Sequence, residues 1–418
     1  MSPTRREFLK TSVGTAALAS LATCPSSLTA AVGARRDSGD KVLVIVELAG
    51  GNDGLNSIIP FEDDIYGRSR TTLRLTRKEV LKINDQLGFH PALKGFRRIF
   101  DEGHLSVLQG VGYPKPNGGH DGAVMDWHSA QPHQTNRQTG WVGRVIDSRE
   151  QLDSDFAPAV VVGQINRPFC LNAERTIVPS INSSRDFVLR SAGNTESLSD
   201  HHRRLVESAE PPRTESDNPL LDIVRKNQLS AYSTSRRIDE VIQKIPAMEG
   251  HYPQSLLAGK LHTISQLIRA ETGIKVFFTG FGGGGIGGFD NHANQRDNHA
   301  ALLRQLSESV AAFVDDLKRQ KLLDRVVLMT FSEFGRTLKE NGRKGTGHGS
   351  AAPMFLAGGK LKGGLVGEHP SLTELENGGP KHHTDFRRVY ATVLDNWLGF
   401  DSRPVLGDGF APLDVFET

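Results

Sequence analysis

The stretch Lys41–Asn56, KVLVIVELAGGNDGLN, decides the fold. It opens on a continuous Val- and Ile-rich run, the pattern of a strand buried on both faces of a sheet. The run stops at a glycine-rich turn carrying Asn52, Asp53 and Asn56. In open α/β sheets, ligands bind beyond the carboxyl ends of the strands, so a polar turn there is the first place to look for chemistry.

Reading onward, PALKGFRRIFDEG has helical spacing and LSVLQGVGY reads as a second strand. That β–α–β order predicts a mostly parallel sheet with helices on both sides. APAVVVG adds a short strand, and residues 217–245 and 251–271 read as amphipathic helices within a mostly helical insert near 190–270. Buried strands are predicted at 42–48, 275–280, 325–331 and 353–357, with helices at 300–320 and 384–398 against them. The fold class is therefore α/β, an α/β/α sandwich around a mixed, mostly parallel sheet. No repeat of fixed period is visible, and residues 41–418 are read as a single domain.

The N-terminus, MSPTRREFLKTSVGTAALASLATCPSSLTAAVGARRD, places Arg5 and Arg6 before a weakly apolar stretch and small residues. This predicts a twin-arginine export signal over 1–34, cleaved after Ala31 or Ala34. The twin-arginine translocase is then a partner during export, and the destination is the periplasm or beyond. Cleavage removes Cys24 and leaves Cys170, which has no internal partner for a disulfide. No other segment has the roughly 20 apolar residues of a membrane span.

The 418 residues carry 50 Lys and Arg against 48 Asp and Glu, a net charge of +2. Nothing in that balance points to nucleic acid, and no basic patch is interleaved with aromatics. The glycine-rich TGFGGGGIGGF lacks the Gly-Lys-Ser/Thr ending of a phosphate loop and reads as a flexible connection. No dinucleotide fingerprint is present, which argues against an oxidoreductase.

Several polar residues follow predicted buried strands. Asp53 follows the first, Asp290 and His292 follow IKVFFTGF, Ser332, Glu333 and Arg336 follow RVVLMTF, and His348 precedes APMFLAGG. Taken singly, such loop residues are most often caps or turn formers. Gathered at one sheet edge, carboxylates and imidazoles suit zinc, manganese or a similar divalent ion.

ELAGGNDGLN, FDNHANQ, SEFGRT, GTGHG and TDFRRVYATVL, in that order, resemble the domain-of-unknown-function family numbered 1501, over about 41–399. That family is similar in turn to the alkaline phosphatase and sulfatase superfamily. The resemblance implies a hydrolytic site with one or two divalent metals, with Asp53, Asp290, His292, Glu333 and His348 as ligands. It implies a phosphate or sulfate ester as substrate, small or carried on a polysaccharide, with His120 or Arg336 stabilising the anion. The chain departs from the family pattern in three places. Gly347 stands where an aspartate is usual, Phe334 where a histidine is, and Gly119 where a serine precedes His120. A hydrolase lacking that hydroxyl needs another attacking group, such as a metal-activated water. The alternative is a binding or structural protein that keeps the fold without turnover.

Overall fold

A computed structural model describes residues 41–148, 158–163, 167–176, 178–181, 252–282 and 287–417. The predicted export signal and the predicted helix over 217–245 lie outside the described residues. Of the predicted insert, the described part contains the helix Leu256–Arg269.

Nine strands form the main sheet, numbered here within it: β1 Val42–Leu48, β2 Leu105–Gly112, β3 Ala159–Val162, β4 Ser180–Ile181, β5 Val276–Phe281, β6 Val326–Phe331, β7 Ala352–Gly358, β8 Gly364–Val366 and β9 Thr384–Asp385. Their order is β8-β2-β7-β6-β1-β5-β3-β4, with β9 also paired to β2. The run that opens the described chain lies at the centre. It pairs in parallel with β5, Leu43 opposite Val276, and with β6, Val42 opposite Val326. β7 is the exception, antiparallel to both β6 and β2. The four strands predicted as buried fall in this one sheet, each within a residue of its expected ends.

Side chains alternate along β1, and each face has its own core. Val44, Val46 and Leu48 pack with Phe96, Leu303, Leu306 and Phe313 on one face. Leu43 and Ile45 pack with Trp127, Met329, Val389 and Tyr390 on the other. A central strand apolar on both faces is required where helices cover both sides. The helices are α1 Asp64–Ser69, α2 Lys94–Asp101, α3 His120–Ser129, α4 Trp141–Ser148, α5 Leu256–Arg269, α6 Gln295–Arg319, α7 Phe386–Ala391 and α8 Arg403–Leu406. α6 begins before the predicted 300, directly after Asn294, whose left-handed backbone (φ 45) turns the chain into the helix. The predicted helix over 384–398 holds as α7 and then widens into a π-turn over Thr392–Trp397.

Two buried histidines lie under the carboxyl end of the sheet. Burial pushes His299 down to about 3 and His90 down to about 4, against the raising effect of Asp53. Both values lie below the roughly 6.5 of an unfolded histidine. The unfolded chain therefore gains protons below that pH which the native chain refuses. Native stability should fall as pH drops from 6.5 toward 4, by up to about 1.4 kcal/mol per pH unit for each histidine. Urea unfolding of His299→Gln across that window should show a shallower slope than wild type. An unchanged slope would mean that His299 does not contribute this linkage.

Candidate metal centre

The turn after β1 is shaped by two glycines that other residues could not replace. Gly50 (φ 110) and Gly51 (φ 83) have left-handed backbones. A Cβ on Gly50 would strike the backbone of Asp290, and one on Gly51 would strike the Phe334 ring. The bare turn thus lets the loops after β5 and β6 close onto the end of β1. Gly50 N donates to Glu333 Oε1 at 2.8 Å, and Ala49 O accepts from Phe289 N at 2.8 Å.

His348 ends the strand Thr346–His348, which forms a ribbon with Arg336–Glu340, Arg336 opposite His348. His120 is the first residue of α3. Asp290 and His292 come from the loop before α6. Four side chains from three separated segments meet here. His292 Nε2 lies 2.9 Å from Asp290 Oδ1 and 3.0 Å from His348 Nε2. His348 Nε2 is 3.2 Å from the same carboxylate oxygen. His120 Nε2 is 3.5 Å from Asp290 Oδ2. Ligand atoms of His120, Asp290 and His348 all lie within 4.8 Å of one another.

The other nitrogen of each imidazole faces an oxygen. His120 Nδ1 is 3.0 Å from Glu333 Oε1, His292 Nδ1 is 2.9 Å from the Thr346 carbonyl, and His348 Nδ1 is 2.7 Å from the Gly118 carbonyl. A carbonyl oxygen can only accept, so each facing Nδ1 carries the proton and donates it. A neutral ring held this way turns its Nε2 lone pair toward Asp290. Burial, with the neighbouring Arg336 charge, holds His292 below its ordinary range, against the opposing pull of Asp290. Burial raises the Asp290 carboxyl, but the hydrogen bond and charge of Arg336 outweigh it and hold it below the ordinary range. The cluster thus joins three imidazoles and one carboxylate.

Arg336 does something other than the expected anion binding. Its guanidinium is about 1% exposed. Nε donates to the Gly51 carbonyl at 2.8 Å, and Nη1 to that of Thr346 at 3.4 Å. Nη2 donates to the carbonyls of Gly50 and Phe289 and to Asp290 Oδ1, the last at 2.7 Å. All three nitrogens are spent inside the protein, which makes Arg336 a fixture for Asp290.

Two of the expected ligands also have other partners. Asp53 is 2% exposed, and its Oδ2 accepts from Arg70 Nη1 at 2.5 Å and from Gln295 Nε2. Burial raises the Asp53 carboxyl, but the Arg70 charge and hydrogen bond bring it below the ordinary range. Its negative charge is matched by a buried arginine on Oδ2, while Oδ1 is buried without a hydrogen-bond partner. Glu333, 3% exposed, is occupied by Gly50 N and His120 Nδ1. It stands behind the His120 ring, where it orients the imidazole. A cluster of five ligands around one ion is therefore not what the geometry offers. Phe334 stacks on His348 with centroids 4.3 Å apart and tilts against His120 at 5.0 Å, walling one side of the cluster.

Sequence reasoning did not pick out Arg70, Gln295 or Thr346. Arg70 sits in a run of ordinary surface-like charge, with nothing to mark it as fully buried. Gln295 closes the FDNHANQ motif, which was the available signal.

The TM-scores with solved structures are low. The lipoteichoic acid synthase LtaP from Listeria monocytogenes gives a TM-score of 0.37 at 10% identity, covering 87% of this chain and 73% of that one. The C-terminal periplasmic domain of EcEptC from Escherichia coli, solved in complex with Zn, gives 0.34 at 9% identity, covering 77% and 74%. The PsFucS1 sulfatase from Pseudoalteromonas sp. gives 0.33 at 11% identity, covering 93% and 75%. At TM-scores this low the likeness assigns no activity and no substrate. No curated protein matches the chain. No helix among the described residues is long and apolar enough to cross a membrane. The family model described as "Protein of unknown function (DUF1501)" matches residues 40–408, and the chain belongs to that family.

Proposed function

We propose that this protein is an exported metal-dependent hydrolase of phosphate or sulfate esters. One observation carries the metal: His292 Nε2 and His348 Nε2 face each other at 3.0 Å while both Nδ1 atoms face carbonyl oxygens. Two lone pairs do not rest that close without a cation or a proton between them. Tetrahedral zinc with bonds near 2.0–2.1 Å separates its ligand atoms by about 3.3 Å, close to the spacings among His292, His348 and Asp290. Asp290, His292, His348 and His120 would hold the ion. One such cation supplies Lewis acidity to an ester oxygen and to the attacking water.

The chain's own groups do the rest. Glu333 fixes the His120 ring with Nε2 turned inward, and Arg336 fixes Asp290. The N-terminus of α3 abuts the cluster, and its N-cap, Gly119, offers no side chain. The partial positive charge of a ten-residue helix start favours an anionic ester there. Water attacks phosphorus or sulfur, the bond to the alcohol oxygen breaks, and the alcohol leaves with a proton. Gly119 supplies no hydroxyl for a covalent intermediate, which favours direct attack by water. The same glycine is the one observation that favours the competing reading, a binding protein without turnover.

The test is elemental analysis of the folded, purified protein, with aryl phosphate and aryl sulfate assays before and after chelation. Stoichiometric zinc or manganese, with ester cleavage lost on chelation and restored by the metal, is the expected result. Stoichiometric metal with no cleavage of either ester class selects the binding protein. Background metal in protein also unable to take up added ions ends the metal reading.

A further inference from the structure

A buried polar chain runs from His292 away from the cluster. The Thr346 carbonyl accepts from His292 Nδ1 at 2.9 Å, and the Thr346 hydroxyl donates to Gln295 Oε1 at 2.7 Å. Gln295 Nε2 donates to Asp53 Oδ2, which also accepts from Arg70. Thr346, Gln295, Asp53 and Arg70 are each no more than 2% exposed. Arg70 continues to the opposite strand of the ribbon, donating to the carbonyls of Leu338 at 3.0 Å and Thr337 at 2.9 Å. Thr337 Oγ1 in turn accepts from Gly347 N at 2.9 Å, one residue before His348.

Every link has one direction. Arginine only donates and an ionised carboxylate only accepts. Asp53 therefore takes Gln295 by its NH2 end, which fixes the amide orientation and leaves Oε1 to receive the Thr346 hydroxyl. That hydroxyl, together with the Thr346 N–H donated to the Asn291 carbonyl at 3.1 Å, holds residue 346, whose carbonyl then selects the Nδ1–H form of His292. Burial makes each link costly to break, because an unmatched partner would have no water to turn to.

We infer that Gln295 and Thr346 are positioning residues that hold His292 in the Nδ1–H tautomer, with its Nε2 free for a metal, and that the Asp53–Arg70 pair anchors them. This rests on the reading of the cluster as a metal centre. Hydrogen bonds that hold the outer nitrogen of a ligating histidine typically affect metal affinity by about 10–100-fold. Asp53 then serves the cluster from three hydrogen bonds away.

The experiment compares wild type with Thr346→Val, Thr346→Ser and Gln295→Met. It reads the His292 ring tautomer by nitrogen NMR in metal-free protein, zinc affinity by competition with a chelator, and the melting temperature. Thr346→Val should lower the Nδ1–H population of His292 and weaken zinc by at least about 10-fold. Thr346→Ser, which keeps the hydroxyl, should restore both. Gln295→Met should behave like Thr346→Val and serves in its place if that variant does not fold. A Val variant that keeps its tautomer and binds zinc within twofold of wild type overturns the inference, whatever its melting temperature. If wild type binds no zinc yet the tautomer shifts in Val and returns in Ser, the positioning role stands and the metal reading fails.

Discussion

Asp290→Asn is expected to weaken zinc binding by at least about 100-fold while leaving the protein folded; even an outer-shell partner is worth about 10–100-fold. Among the described residues, Asp290 is the one carboxylate that touches all three imidazoles, at 2.9, 3.2 and 3.5 Å. Asparagine keeps an oxygen for Arg336 to donate to, so the buried guanidinium retains its partner. What disappears is the negative charge that offsets a divalent ion. The side chain is 38% exposed, so folding stability depends little on that charge. Competition titration against a chelator measures the affinity, and the melting temperature of the metal-free protein checks the fold. Affinity within a few-fold of wild type would remove Asp290 from the ligand set.

The second large effect lies in the interior. Arg70→Met should cost about 3–5 kcal/mol of stability, because it leaves the Asp53 carboxylate buried without its counter-charge. The pair is 0% and 2% exposed, so water cannot replace the lost partner. Arg70 also satisfies the carbonyls of Leu338 and Thr337 and the side-chain oxygen of Asn56. Adding Asp53→Asn to Arg70→Met should recover part of the loss, since a buried charge is more expensive than a buried amide. Urea denaturation of the two variants measures this. A single variant within about 1 kcal/mol of wild type would place the pair among weak surface ion pairs.

The sheet was legible because a strand covered on both faces must be largely apolar, and β1, β5 and β6 are, each with a single charged or hydroxyl residue near its carboxyl end. The antiparallel course of β7 was not legible, because burial on both faces fixes composition and leaves direction open. Among the site residues, His348, Asp290 and His292 could be suspected from their places beside buried strands. Their mutual distances depend on the ribbon and on the bare Gly50–Gly51 turn, which no local pattern encodes. Asp53 looked like a ligand because it is an acid after a strand. What sets its role is Arg70, seventeen residues on, whose burial has no local signature. Arg336 misled in the opposite way. A strand-end arginine reads as an anion binder until the surrounding carbonyls are counted.

The reversal of β7 has a consequence for the order of events in folding. His348 reaches the cluster by preceding a strand, whereas Asp290 and His292 follow one. Its position depends on β7 zipping against β6 and β2 together, and the β2 partners lie more than 240 residues earlier, Met354 with Leu108 and Leu356 with Ser106. Contacts between such distant parts of a chain form late, because the closure entropy of the intervening loop must be met first. A nascent chain thus has no ready-made cluster, and on the proposed metal reading ion capture would certify that the sheet is complete.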